Sequence, residues 1–292
     1  MRAGAGLHER CLPTHRCRQY VVSDRTKLRS NLTDPVDLSS LPKKDAYKLD
    51  PHLSKEIHRL KDHSWWYRGR RKVFGTVLAK YVAVLPPGPV LDFGSGPGTN
   101  AELLNSLRRE ILTFDLSLEA QIACRQDAYG VGTVADAIAT PYRNRTFSLI
   151  LAADILEHVS DDRSALAEIH RILAPGGTAV IVVPGFKSLW GWQDEVSGHF
   201  RRYSPTEIRR RTEGAGLAVL RTTCMNGLLA LPILVARNIL RRSHFQTRSE
   251  NLLTPRWADP ILYLFLAVEA VLSRWIDLPY GTSVVCVARR PE

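Results

Sequence analysis

From residue 90 onward, short runs of consecutive apolar residues alternate with stretches in which apolar residues recur every three to four positions. Residues 90–93, 111–114, 131–135, 147–153 and 178–183 are mostly apolar, β-branched or aromatic, the pattern of strands covered on both faces. Helix signals fall between them. Ser117 precedes one helix, and Ser160 as cap with Asp161 and Asp162 in the first turn opens another. Leu166, Ile169 and Leu173 give that second helix a buried stripe, and Ala174-Pro175-Gly176-Gly177 stops it. Strands and helices joined by short connections predict an α/β domain built on a doubly wound parallel sheet.

Upstream, Asp50-Pro51 opens a helix over 51–60. Trp65-Trp66-Tyr67 then abuts Arg68, Arg70 and Arg71, and residues 73–81 have helical periodicity. Downstream, an aromatic stretch from 186 to 203 follows the fifth strand, and Ser204-Pro205-Thr206-Glu207 is a capping box that opens a helix. Residues 217–223 and 282–290 read as the last two strands. Between them, residues 226–280 form a helical insertion. One apolar helix over 228–236 is followed by Arg237, Arg241 and Arg242. The other, over 261–276, carries Ile261, Leu264, Val268, Val271 and Trp275 on one side. Neither reaches the ~20 apolar residues that span a bilayer. The interface of an anionic membrane, an apolar substrate or a second copy of the chain would each cover such helices. Residues 1–42 show neither period and are expected to be a disordered basic extension, leaving 43–292 as the domain.

The glycine turn changes this from a fold to a site. Val90-Leu91-Asp92-Phe93-Gly94-Ser95-Gly96-Pro97-Gly98 places an acid at a strand's carboxyl edge and then three glycines, which let backbone amides approach a ligand beside a helix N-terminus. Gly96 to Ala101 also fits the loose G-x-G-x-x-G/A pattern of dinucleotide enzymes, with Asp115 downstream to accept from ribose hydroxyls. A nicotinamide oxidoreductase therefore stays open on that pattern alone, and capping of the next helix is the plainer role for Asp115. Asp92 before the first glycine and a further strand-end acid, Asp136, suit a cationic ligand better than a pyrophosphate.

With both acids in view, Asp92 to Gly98 resembles the first motif of class I S-adenosylmethionine-dependent methyltransferases, and Glu157-His158-Val159 matches that family's Glu-His-Val sequence. The resemblance is strong over 90–183 and moderate at the closing strand. It implies a Rossmann-like sheet of seven strands, the last antiparallel, and S-adenosyl-L-methionine as cofactor. It further implies that Asp92, Gly94, Ser95, Gly96, Asp115, Leu116 and Ala153 hold the cofactor, that Asp136 accepts from its adenine amino group, and that Ala137 offers a backbone amide. An arginine ahead of the first strand, here Arg68, would meet the cofactor carboxylate. Displacement at a sulfonium methyl requires alignment and desolvation and no metal. His158 and His199 are the candidate bases for an oxygen or carbon nucleophile, and Trp190, Trp192 and Tyr203 the candidate substrate contacts. A packed structural loop is the alternative for 186–203.

Composition narrows the partners. The 292 residues are 45% hydrophobic, ample for a core, and carry a formal charge of +11, which suits an anionic surface or substrate. Methylation of RNA or another nucleic acid would use that charge, yet no nucleic-acid motif is present, so a small-molecule or lipid-like acceptor is preferred. The five cysteines are scattered with no C-x-x-C pair, which argues against a zinc knuckle or a disulfide framework. Without a continuous apolar run before residue 40, the expected location is cytoplasmic, with attachment at the inner face of a membrane through 226–280.

Overall fold

The computed structural model describes residues 21–22, 51–127, 129–242, 254–255 and 257–292. Its elements run β1 (Val21–Val22), α1 (Pro51–Leu60), α2 (Trp65–Val82), β2 (Val90–Phe93), α3 (Ala101–Asn105), β3 (Ile111–Asp115), α4 (Leu118–Gln126) and β4 (Val131–Val134). They continue with β5 (Phe147–Ala153), α5 (Asp162–Ile172), β6 (Leu173–Pro184), α6 (Trp192–Val196), α7 (Pro205–Gly214) and β7 (Ala218–Met225). The insertion helices α8 (Ala230–Arg242) and α9 (Asp259–Leu272) precede β8 (Ser283–Arg289).

All strands belong to one sheet of order β1-β4-β3-β2-β5-β6-β8-β7. β4, β3, β2, β5 and β6 are parallel, and β8 runs antiparallel to both β6 and β7. Without β1 this is the expected seven-stranded sheet with its final strand reversed. β1 lies in the range read as a disordered extension, and its two valines pair antiparallel with Thr133 and Gly132 at the sheet edge. The rest of 1–42 falls outside the described residues.

Alternation along the strands sends one set of side chains to each face. Leu91, Phe93, Ile150, Ala152, Ile181 and Cys286 pack under α5 and α7, while Val90, Leu149, Leu151, Val180 and Val285 pack against α2. Burial of both faces is why these strands read as near-continuous apolar runs. The chain steps from β4 across to β5, on the other side of β2. The crevice at the carboxyl ends of β2 and β5 is therefore the topological switch point where ligands bind in such sheets.

Local signals decide most element ends. Ser117 caps α4 by accepting from Ala120 N (3.2 Å), and Ser204 caps α7 by accepting from Glu207 N (3.1 Å), with Pro205 at the first helical position. Asp161, not Ser160, caps α5 by accepting from Ser164 N at 3.1 Å. The expected helix over 73–81 is the second half of α2, which begins at Trp65 because the Ser64 hydroxyl accepts from Trp66 N.

α9 runs parallel to α2. Trp65 N donates to Asp259 Oδ1 (2.8 Å) at their first turns, and Lys80 Nζ donates to Arg274 O (2.6 Å) at their far ends. Between these ties the Leu266 side chain fills the notch left by Gly69, where any Cβ would collide with it. The Ile261, Leu264, Val268, Val271 and Trp275 stripe faces outward, with Leu264 61% and Trp275 73% exposed. Leu266, Ala267, Glu269 and Ala270 face inward. Among the described residues no helix is long and apolar enough to cross a membrane.

Candidate active site at the carboxyl ends of the strands

The glycine turn is held from below and from the side. Asp92 is fully buried and accepts from Tyr129 Oη (2.9 Å) and Asn100 Nδ2 (3.3 Å). Burial pushes its carboxyl up to about 6, against the pull of those two bonds. Gly94, Gly96 and Gly98 all have positive φ, and a Cβ on Gly94 would strike Ile155. A Cβ on Gly96 would meet nothing within 4 Å, so the turn is open on that side. Ser95 is buried and accepts from Gln121 Nε2 at 2.9 Å, a contact within the turn's support. Arg71 braces the turn by donating to Lys61 O (2.6 Å) and Thr99 O (3.2 Å) and pairing with Glu102 at 2.7 Å.

Asp115, at the end of β3, accepts from Gly96 N and Ser117 N, both at 2.9 Å, one on each oxygen. Each oxygen keeps a lone pair for a hydroxyl donor. Burial raises its carboxyl from the usual value while these amide bonds act in the other direction. Leu116 follows it, half-buried. Asp136 lies beyond β4, accepts from Ile138 N (3.1 Å), and is buried together with Ala137. Ala153 ends β5, and the next residue, Asp154, has positive φ.

Two expected contacts are corrected. Arg68 points away from the strand ends, its guanidinium 4.4 Å from the Tyr263 ring centroid and 3.9 Å from Asp259 on α9. Arg70, two residues on and about 200° around the helix, is the buried arginine that pairs with Asp154 at 2.5 Å. Its Nε is buried without a hydrogen-bond partner. Tyr203 is fully buried, and its hydroxyl donates to Asp162 Oδ2 (2.8 Å) or Leu156 O (3.2 Å), so it anchors the loop instead of lining a substrate site. Trp190 and Trp192 are half-buried on the same segment.

That segment brings His199 back over the Glu157-His158 turn. The two imidazole centroids are 4.7 Å apart, edge to face. Asp194, 0% exposed, accepts from Arg202 through both oxygens (2.7 and 2.9 Å), from Gly191 N (2.8 Å), and hydrogen-bonds His199 Nδ1 at 2.8 Å. Burial alone would raise the Asp194 carboxyl, but the bonds from His199 and Arg202 hold it down at about 2. Burial, reinforced by His199, lowers His158 to about 4, leaving it neutral. Burial, with Asp154 adding to it, pushes Glu157 well above the usual carboxylate range. The sequence reading missed Arg70, Asp154, Asp194 and Arg202. Asp194 and Arg202 flank His199 in the chain, and an acid and an arginine beside a candidate base are a usable signal.

An α/β sheet of this order, with a glycine turn after β2 and an acid at the end of β3, has the methyltransferase architecture. A chain from the solved complex between the Haloferax volcanii Trm112 methyltransferase activator and a methyltransferase shares it with a TM-score of 0.53 at 20% identity, over 82% of this chain and 95% of that one. A family profile described as methyltransferase domain matches residues 66–222, more than half of the chain. The malonyl-[acyl-carrier protein] O-methyltransferase of Erwinia billingiae is 30% identical over 235 residues, 71% of this chain and 91% of the relative. The demethylmenaquinone methyltransferase of Renibacterium salmoninarum is 26% identical over 114 residues, 39% of this chain. The matched stretch spans about half the length of that relative and of its Streptomyces avermitilis counterpart. The chain belongs to the methyltransferase domain family. It is an S-adenosylmethionine-dependent methyltransferase, which sets aside the nicotinamide alternative.

The residues present fit that cofactor. Asp115 has lone pairs left for ribose hydroxyls, Gly96 is open, and Arg70 has a buried Nε with no partner.

Proposed function

We propose that the protein methylates an apolar small-molecule or lipid-linked acceptor delivered from a membrane surface. The observation that carries this reading is the outward apolar stripe of α9; Leu231 and Val235 of α8 and Trp257 are exposed as well. A run of large apolar side chains left uncovered along one helix face is a feature of surfaces that meet a partner or a membrane. Exposed Arg274 stands beside Trp275 at the end of α9, and the chain carries a formal +11, which complements anionic headgroups. The demethylmenaquinone and malonyl-[acyl-carrier protein] methyltransferases among the relatives act on apolar or carrier-linked molecules, which agrees in kind. Nucleic acid remains the less favoured acceptor.

When bound, S-adenosylmethionine supplies a methyl carbon on a cationic sulfur. The chain's own residues bind and orient. Asp115 receives the ribose hydroxyls, Asp136 and Ala137 the adenine edge, and Leu116 and Ala153 flank it. Asp92 and Ser95 hold the turn that exposes Gly94 and Gly96. Arg70, in place of Arg68, meets the amino-acid carboxylate through its unpartnered Nε. Trp190 and Trp192 border the acceptor, and without a bound cation handling of its proton falls to His158 and His199.

Asp115→Ala is expected to weaken S-adenosylmethionine binding by about 1–3 kcal/mol in calorimetry, the scale of hydrogen bonds to a charged acceptor. Unchanged affinity would remove Asp115 from the cofactor site. For the surface, the full chain should sediment with vesicles containing phosphatidylglycerol, less so at high salt. Leu264→Ser with Val268→Ser should abolish sedimentation while shifting stability by no more than about 0.5 kcal/mol, since both side chains face outward. Vesicles that fail to carry down the protein at low salt would sink the membrane reading.

A further inference from the structure

Glu157, His158 and His199 each offer one ligating atom, and those atoms lie within 4.8 Å of one another. We propose that these three side chains bind a divalent transition-metal cation at the acceptor's side of the site. The ion's binding stands on this cluster alone, whereas its role toward the acceptor rests on the reading above.

One imidazole is already prepared as a ligand. His199 Nδ1 is engaged by Asp194 at 2.8 Å, and the His158 ring meets the His199 ring edge to face at 4.7 Å. A metal-binding histidine ordinarily spends its second nitrogen in this way, on a carboxylate or a backbone carbonyl, which fixes the tautomer and turns the free lone pair toward the ion. Asp194 is itself locked by Arg202 and Gly191 N, so the His199 ring has a rigid support.

The carboxylate supplies the independent observation. Glu157 is 1% exposed, and its Oε2 is buried without a hydrogen-bond partner. A buried carboxylate oxygen with no donor is costly. The two arginines nearest in charge, Arg70 and Arg202, are in contact with Asp154 and Asp194 instead. A cation between Glu157 and the imidazoles supplies the missing contact.

The donor set also names the class of ion. Two imidazole nitrogens and one carboxylate oxygen suit Zn²⁺ and its first-row divalent neighbours and leave coordination positions open. Bonds of ~2.0–2.2 Å place tetrahedral ligands ~3.4 Å apart, so the widest pair of the cluster needs to close by ~1.4 Å to hold an ion. With the ion in place the imidazoles act as ligands and not as proton acceptors. A hydroxyl oxygen of the acceptor on an open position would then lose its proton to solvent more readily.

The test uses the full chain, freed of metal by chelator and dialysis, and titrated with Zn²⁺ in a competition assay against a chromogenic chelator. One equivalent should bind saturably, and Glu157→Gln, His158→Ala and His199→Ala should each lower affinity tenfold or more. Cobalt loading should give visible absorption that is lost in the same variants. Circular dichroism and S-adenosylmethionine calorimetry on each variant separate site loss from misfolding. The absence of stoichiometric binding, or binding that the three substitutions leave unchanged, would overturn the proposal. S-adenosylmethionine binding by the metal-free protein stands or falls separately, so failure of the metal site and failure of the functional reading are distinguishable.

Discussion

Asp194→Ala should cost the protein about 3–5 kcal/mol in urea unfolding, because it takes away the carboxylate that neutralises the buried Arg202 guanidinium. It also removes the acceptor for Gly191 N and the support of His199. The loop from β6 to α7 would then lose the group at its middle that ties Gly191, His199 and Arg202 together. Acid should reproduce part of this effect in the unmutated protein. The folded carboxyl, at about 2, lies below its usual value near 3.8, so the folded state holds this proton less tightly than the unfolded chain. Its contribution is therefore complete above about pH 4 and is lost as pH falls from there through about 2. Asp194→Asn should flatten the stability profile in that window. A denaturation midpoint unchanged by either substitution would show that the network is not what holds the loop.

Glu269→Ala should lower the melting temperature by roughly 10 °C, corresponding to about 3–4 kcal/mol. Its carboxylate, buried on the inner side of α9, accepts from the backbone amides of Asn226, Gly227 (2.8 Å) and Leu228 (3.3 Å), where the chain leaves β7 for α8. Alanine leaves those donors without an acceptor, and each buried orphan costs about 1–3 kcal/mol, less where water can enter. Glu269→Gln keeps one acceptor oxygen and should cost roughly half as much. Thermal melts by circular dichroism check both. If Glu269→Ala proved no more harmful than Leu264→Ser, the inner and outer faces of α9 would have been misassigned.

The sheet was legible because its strands are buried on both faces and its helices carry their own caps, as at Ser117 and Ser204. The glycine turn was legible because positive φ at Gly94, Gly96 and Gly98 leaves a mark in residue type. Helix phase was not. Trp65 to Arg71 has no single apolar stripe, so nothing in the sequence chose Arg70 over Arg68 to face the strand ends. α9 is apolar nearly all round apart from Glu269, and the stripe that periodicity selected proved to be the outer one. Tyr203 was read by chemistry without burial, which its bond to Asp162 decides. The approach of His199 to His158 depends on a loop closed by Asp194 and Arg202, and tertiary closure of that kind leaves no spacing to read.

Gly69 matters for how the insertion is joined to the glycine turn. With Leu266 seated in its notch, α9 is keyed to α2 and has no room to slide over it. Arg70 and Arg71 follow that notch directly in the chain, one gripping Asp154 and the other the carbonyl of Thr99. The outward-facing helix of the insertion and the rim of the glycine turn are therefore joined through three consecutive residues of α2. The first of the three makes the joint by having no side chain.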